Sequence, residues 1–268
     1  MNIAIIGYGK MGKLIEREVL ERGHRVAAIV DPFVPAGAGG LSGAPVYRTA
    51  GEAAGLDAAD AAIEFTRPDT APGNMFALIE RRIPAVVGTT GWLARLEEIR
   101  AAVETAGSSL LWASNFSLGV NLFYRIAAYA ARLADPFPEY DVGGWEAHHN
   151  KKADSPSGTA RTLVEGVLAG MSRKTAAVWD TLDRPPKAEE LHYPSLRTGS
   201  LPGVHTLIFD SPADTIEITH TARNREGFAA GALRAAEWLA RCSGSGSAGE
   251  PRQGVFTMDD VLADILPG

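Results

Sequence analysis

Two histidines and two lysines fall within five consecutive residues, His148-His149-Asn150-Lys151-Lys152, of a chain whose formal charge is −6. Such a cluster gathers proton donors and positive charge at one place in an otherwise acidic protein, the chemistry that a small polyanion calls for. The run continues as Ala153-Asp154-Ser155-Pro156-Ser157-Gly158-Thr159-Ala160. Ser155 is a candidate helix cap and Pro156 the first helical residue. Ala160, Leu163, Val164 and Val167 would form the buried face of the helix that follows. The amides of Gly158 and Thr159 then fall in the first turn, where backbone N–H groups favour a carboxylate. A histidine beside such a helix start supplies a proton donor near neutral pH. The bland alternatives are a solvated lysine loop with ordinary capping, and a metal pair at His148-His149. No other ligand cluster or Cys-x-x-Cys pair supports the metal, and none is expected.

A second signature opens the chain. Gly7-Tyr8-Gly9-Lys10-Met11-Gly12 follows directly on the apolar run Ile3-Ala4-Ile5-Ile6 and precedes a helical pattern. In that context the first glycine permits a tight turn, the second lets backbone approach a pyrophosphate, and the third lets helix and strand pack closely. Free amides at the helix start then hold phosphate oxygens. Asp31 lies 19 positions after Gly12, at the end of the next strand. A carboxylate there accepts hydrogen bonds from ribose hydroxyls and repels a 2′-phosphate. Pro32 follows it in place of an arginine, so NADH is expected over NADPH. The glycine-rich residues 37–43 lack a lysine and a following helix, and are expected to be only a loop.

These motifs need elements to position them. Strands are expected at 3–6, 26–30, 61–65, 85–87 and 110–113, with helices from the glycine motif to 22, at 76–82 and at 93–105. Gly23 is placed to close the first helix. Such alternation gives a parallel sheet covered by helices on both faces. The pattern changes after residues 115–117. A helix over 118–133 ends before Asp135-Pro136-Phe137-Pro138. A strand at 142–147, a helix at 156–168 and strands at 204–210 and 215–220 follow, the last two joined by the turn Ser211-Pro212-Ala213. They imply a mixed or antiparallel sheet. A helix at 228–241 returns the chain, residues 243–249 read as a flexible surface loop, and 256–266 is apolar enough to pack back on the first domain. The fold class is therefore α/β. An N-terminal Rossmann-like parallel-sheet domain (1–116 with 232–268) is joined by a smaller α+β substrate domain with a mixed sheet (117–231).

Composition narrows the function classes. Apolar residues are 46% and charged residues 22%, ordinary for a soluble globular protein. With a pI near 5.6, no broad nucleic-acid surface is expected. Cys242 is the only cysteine, so no intrachain disulfide can form, and a reducing compartment fits. No apolar stretch approaches the roughly 20 residues that span a bilayer. The N-terminus carries no basic or cleavage-like secretory features. A cytoplasmic protein without membrane partners is expected.

The string His148-His149-x-x-Lys152-x-Asp154-x-Pro156-Ser157-Gly158-Thr159 resembles the signature of dihydrodipicolinate reductases. So do, in order, the glycine motif, Phe65-Thr66-Arg67-Pro68, Gly88-Thr89-Thr90-Gly91, Asn115-Phe116-Ser117-x-Gly119-Val120-Asn121, Arg197-x-Gly199-x-x-x-Gly203-x-His205, Glu217-x-Thr219-His220 and Phe228-Ala229-x-Gly231-Ala232. The segment before the helix is highly specific; the glycine motif alone is not. The resemblance implies that His148 is the general acid protonating the product enamine carbon, with Lys152 a second donor. It implies that His149, Lys152, Gly158 and Thr159 hold two substrate carboxylates. Gly88, Thr89 and Thr90, with Ala113, Ser114, Asn115 and Phe116, would line the nicotinamide end of the cofactor site, which Phe65 and Arg67 also approach. Family members that favour NADPH often carry a basic residue where this chain has Pro32, and the family usually has alanine where it has Ser155. The implied reaction takes 4-hydroxy-tetrahydrodipicolinate to tetrahydrodipicolinate in a homotetramer, on the way to diaminopimelate and lysine. Two competing readings are a Rossmann amino-acid or semialdehyde dehydrogenase and a non-catalytic dinucleotide sensor. The first shares the glycine motif but predicts no His-His-x-x-Lys run, and the second has no use for His148 and Lys152.

Overall fold

Ile3 and Ile5 enter one apolar cluster and Ala4 and Ile6 another, so the first strand is buried on both faces. A strand with that pattern belongs inside a parallel sheet. In the computed structural model, which describes residues 1–35, 40–242 and 253–265, it is β1 (Asn2–Ile6) of a seven-stranded sheet. Its neighbours in the chain are β2 (Arg25–Val30), β3 (Val46–Tyr47), β4 (Ala61–Glu64), β5 (Ala85–Val87) and β6 (Ser109–Trp112), and all pairings are parallel. α1 (Lys10–Glu21), α2 (Ala71–Glu80) and α3 (Leu96–Ala106) are its crossovers. α2 starts earlier than the pattern 76–82 indicates, because Pro72 sits in its first turn, where the missing N–H costs nothing. Residues Leu93–Arg95 form a separate 3-10 turn ahead of α3.

The second unit is built on α4 (Leu118–Ala134), β7 (Asp141–His148), α5 (Gly158–Gly170), β8 (Ala176–Val178), β9 (Glu190–His192), β10 (Ser195–Arg197), β11 (Val204–Asp210) and β12 (Thr215–Thr221). Its four-stranded sheet runs β10-β7-β11-β12. β10 is parallel to β7, whereas β11 is antiparallel to both its neighbours, so the sheet is mixed. One face packs Val142, Leu207 and Phe209 against Phe123, Leu163, Val164 and Val167 of the two helices. The pairs β8–β9 and the short β10 lack the alternation that would mark them in the sequence.

α6 (Glu226–Cys242) then carries the chain into the first unit, followed by β13 (Gly254–Phe256), parallel to β6, and α7 (Met258–Ile265). The two compact units are Met1–Ser117 with Glu226–Gly268, and Leu118–Arg225. The return therefore falls at Glu226 and not at 232, since α6 is one continuous helix and already buries Ala229 and Ala232 in the first core. Gly231 lets it close on the chain: a Cβ there would come 1.7 Å from the Phe116 carbonyl oxygen. Residues 243–249 and 37–39 lie outside the described residues. No helix among those described is long and apolar enough to cross a membrane.

Candidate active site

In the first unit the glycines occupy positions where a side chain would collide with backbone. Gly7, at φ +91°, would place a Cβ 2.2 Å from the Phe65 carbonyl oxygen, and Gly12 would place one 2.2 Å from that of Gly7. At Gly9 a Cβ would meet nothing within 4 Å, so its backbone lies open. The turn is held by the Gly7 amide on the Val30 carbonyl (2.8 Å) and the Tyr8 amide on Asp31 Oδ2 (2.7 Å). The Phe33 amide takes Oδ1 of the same carboxylate at 2.8 Å. The Tyr8 side chain turns inward to a fully buried Glu16, whose Oε1 also accepts the Ser42 amide and hydroxyl. Burial and the anionic neighbour Glu16 push the Tyr8 phenol up to about 12. For Glu16 itself burial works upward, but the hydrogen bonds from Ser42, Tyr8 and Leu41 outweigh it and lower the carboxyl.

Gly9, Lys10 and Met11 share a cleft of about 460 Å³ with Phe65, Gly88, Thr89 and Thr90. Seven residues named from the sequence thus meet around one opening, and Thr66 and Pro68 complete it. Gly88 is required there, since a Cβ would enter the Phe65 ring. The Trp92 indole holds the Thr89 carbonyl at 2.7 Å, and Thr89 Oγ1 accepts the Thr66 amide at 2.7 Å. Beneath them lies Glu64, fully buried, accepting from the Thr66 hydroxyl. Burial pushes its carboxyl up, and hydrogen bonds with Thr66, Thr89 and Asn74 offset part of that. Asp31, Arg67, Ala113, Ser114, Asn115 and Phe116 do not line this cleft. Arg67 is exposed and paired with Asp69 at 3.4 Å. Ala113 binds the Val87 carbonyl through its amide, Asn115 Oδ1 accepts the Ser117 amide, and the Phe116 ring lies 6.0 Å from that of Phe65.

In the second unit the strand register gathers the polar residues. Glu146 lies opposite Ser195 on one side and His205 on the other, and His148 lies opposite Arg197. Residues two apart on a strand share a face, so all five converge at one end of the sheet. His148 Nδ1 is 2.5 Å from Glu146 Oε2, and both residues are buried. Glu146 Oε1 accepts from the Ser195 hydroxyl (2.7 Å), Arg197 Nη2 (2.8 Å) and the Ser157 amide (3.1 Å). Burial alone would raise this carboxyl, yet the bonds from His148, Ser195, Arg197 and Ser157 hold it well below the usual range. The His205 ring stands edge-on to His148 at 5.2 Å. Burial, only partly opposed by Glu146, brings it down to about 4, so His205 is neutral at pH 7.

Glu146, His148 and His205 also have potential metal-ligand atoms within 4.8 Å of one another. A divalent cation there would face the Arg197 guanidinium on the same carboxylate.

α5 begins at Gly158, two residues later than the sequence indicates. Its cap is Ser157 and not Ser155: Ser157 Oγ accepts the Ala160 amide at 3.1 Å while its own amide is fixed by Glu146. Pro156 precedes the helix. Gly158 and Thr159 still form its first turn, and the Thr159 side chain reaches Tyr124. The Lys152 ammonium pairs with Asp154 Oδ1 at 2.8 Å, and Arg197 Nη2 also donates to the Asp154 carbonyl at 2.7 Å. The His149 amide binds the Leu201 carbonyl at 2.8 Å, tying this loop to the one before β11.

Residues 1–116 match the model of the dihydrodipicolinate reductase N-terminus, and residues 119–262 that of the C-terminus. The chain belongs to the dihydrodipicolinate reductase family. It is 36% identical over 268 residues to the 4-hydroxy-tetrahydrodipicolinate reductase of Christiangramia forsetii, covering 99% of each chain. Against that of Chromobacterium violaceum it is 38% identical, covering 97% of this chain and 98% of the relative. A dipicolinate-bound dihydrodipicolinate reductase from Paenisporosarcina sp. TG-14 has the same fold, with a TM-score of 0.76 at 22% identity and 99% of both chains covered. A family of reductases with this nucleotide-binding unit uses a nicotinamide dinucleotide, and the glycines and cleft of the first unit fit one. Sequence reasoning missed Glu146 and Ser157 as site residues within the family motif, and gave Arg197 and His205 no role. The one signal available for Glu146 and Arg197 was a spacing of two along their strands, from His148 and from Ser195, which required knowing the register.

Proposed function

We propose that this protein reduces (2S,4S)-4-hydroxy-2,3,4,5-tetrahydrodipicolinate to (S)-2,3,4,5-tetrahydrodipicolinate with loss of water. The observation that carries the reading is His148, whose Nδ1 rests on a buried carboxylate beside the start of α5 and Lys152. Loss of water from the substrate leaves a conjugated imine. A nicotinamide dinucleotide held by the Gly7–Gly12 turn and the cleft of the first unit would supply the hydride for C4 of that imine. His148 then gives a proton to C3 of the resulting enamine, which balances the addition of two hydrogens. Lys152, His149 and the first turn of α5, with Gly158 and Thr159, hold the two carboxylates and orient the ring. A carboxylate at a helix start beside an ammonium is stabilised by both the dipole and the charge. Oxidation of NADH, followed with the freshly made product of the preceding synthase, tests this reading. No turnover with that substrate, against turnover of an amino acid or semialdehyde, would replace it.

Gly203 makes a sharper test. It sits at φ +153°, and a Cβ there would approach His148 Nε2 to 2.9 Å. Gly203→Ala is expected to displace the ring and lower kcat by about 10–100-fold, the cost of a misplacement near 1 Å. Unchanged steady-state kinetics would show that Nε2 does not face the reaction.

The cofactor is read as NADH. The Asp31 carboxylate is fixed at the end of β2 by two amides, and each oxygen keeps a further lone pair for a ribose hydroxyl. A 2′-phosphate would meet that charge with Pro32 and no cation alongside. The expected result is a higher kcat/KM with NADH than with NADPH; a large NADPH preference sinks the assignment. We further read the enzyme as a cytoplasmic homotetramer assembled through the second sheet. Trp145 and Leu196 are 38% and 54% exposed on its outward face. Sedimentation of the purified chain checks the number.

A further inference from the structure

We infer that Glu146 is a positioning residue for the reduction, fixing the His148 ring and the start of α5 in one frame through a single buried carboxylate. The inference rests on the reading of His148 as the proton donor. Glu146 is fully buried. A carboxylate taken out of water is costly unless donors replace the water, and here they do. Oε1 receives the Ser157 amide, the Ser195 hydroxyl and the Arg197 guanidinium, at 3.1, 2.7 and 2.8 Å. Oε2 faces His148 Nδ1 at 2.5 Å. An ionised carboxylate accepts and cannot donate, so the inference assigns the hydrogen at that contact to Nδ1. Nε2 is then the ring atom that gives up the proton, on the side that Gly203 leaves open.

The same carboxylate sets the helix start. Ser157 is held by its amide on Glu146 while its hydroxyl caps α5, so moving Glu146 moves Gly158 and Thr159. Arg197 carries the frame to the lysine loop, because the nitrogen that binds Glu146 also binds the Asp154 carbonyl, next to the Lys152–Asp154 pair. The proton donor and the helix start thus meet at one buried residue, and Arg197 links it to the loop that carries the ammonium.

The test compares Glu146→Gln, His148→Gln and the double variant by steady-state kinetics, together with proton NMR of the native enzyme. Glu146→Gln is expected to lower kcat about 10–100-fold, the range for the outer partner of a functional histidine. In the His148→Gln background it should cost less than about 3-fold more in kcat, because its effect on turnover passes through the ring. KM for the substrate should rise in both backgrounds as α5 loosens. The native enzyme should show a downfield ring N–H resonance that disappears in His148→Gln. Losses that multiply in the double variant overturn the inference. So does absence of that resonance in the native enzyme, a result that stands even where Glu146→Gln does not fold. A His148→Gln enzyme with native turnover overturns the reading of His148 instead, and the two failures are distinguishable.

Discussion

His148→Gln is expected to lower kcat by about 10²–10⁴-fold, the usual contribution of a positioned general acid, with a much smaller change in KM for the cofactor. Glutamine approximates the ring's reach and can still engage Glu146, but its amide does not give up a proton near neutral pH. The other imidazoles nearby do not take over. His205 is held neutral by burial, with its value brought down to about 4, and so carries no proton to give at pH 7. His220 is likewise lowered by burial. His149, on the loop after β7, is read as holding a carboxylate and not as the donor. Lys152 is the remaining donor, and its residual work sets the lower bound of the loss. Steady-state turnover of the purified variant decides this, and a rate within a few-fold of native would take His148 out of the mechanism.

How much of this was legible beforehand depends on the distance over which each constraint acts. The glycine motif is local chemistry: given a Cβ, Gly7 would collide with Phe65 and Gly12 with Gly7, and the spacing records that. The strands of the first sheet are buried on both faces and read as continuous apolar runs. The cap of α5 was misread because Ser155-Pro156-Ser157 offers two capping serines. The choice between them is made by Glu146, 11 residues upstream, which binds the Ser157 amide. The role of Arg197 hides for the same reason, since its carboxylate partner lies 51 residues away and β10 is only three residues long. Glu16 is a buried carboxylate whose hydroxyl donors, Tyr8 and Ser42, lie 8 and 26 residues away, whereas the donor to Glu64 is its near neighbour Thr66. Local pattern specifies the elements. The polar core that arms the site is specified by register.

Lys152 is the second residue whose loss should be severe. Its ammonium already pairs with Asp154 at 2.8 Å, so the side chain is held in place. Burial works to raise the Asp154 carboxyl, and the Lys152 hydrogen bond and charge reverse the direction and lower it. On the proposed reading, a substrate carboxylate entering beside α5 would meet a lysine that has an internal partner, and binding would exchange one anion for another. Lys152→Met keeps the length of the stem but removes the charge and the donors, leaving the carboxylate without its cation. Breaking one partner of a hydrogen-bonded charge pair costs about 2–4 kcal/mol, which corresponds to a loss of roughly 30- to 1000-fold in kcat/KM. Both parameters should move: KM because a carboxylate is released, kcat because the ring is no longer fixed under the His148 proton. Lys152→Arg should recover only part of the loss, since a planar guanidinium cannot place its donors where a single ammonium stood. Measured kcat/KM near the native value for Lys152→Met would place the substrate carboxylates elsewhere in the second unit.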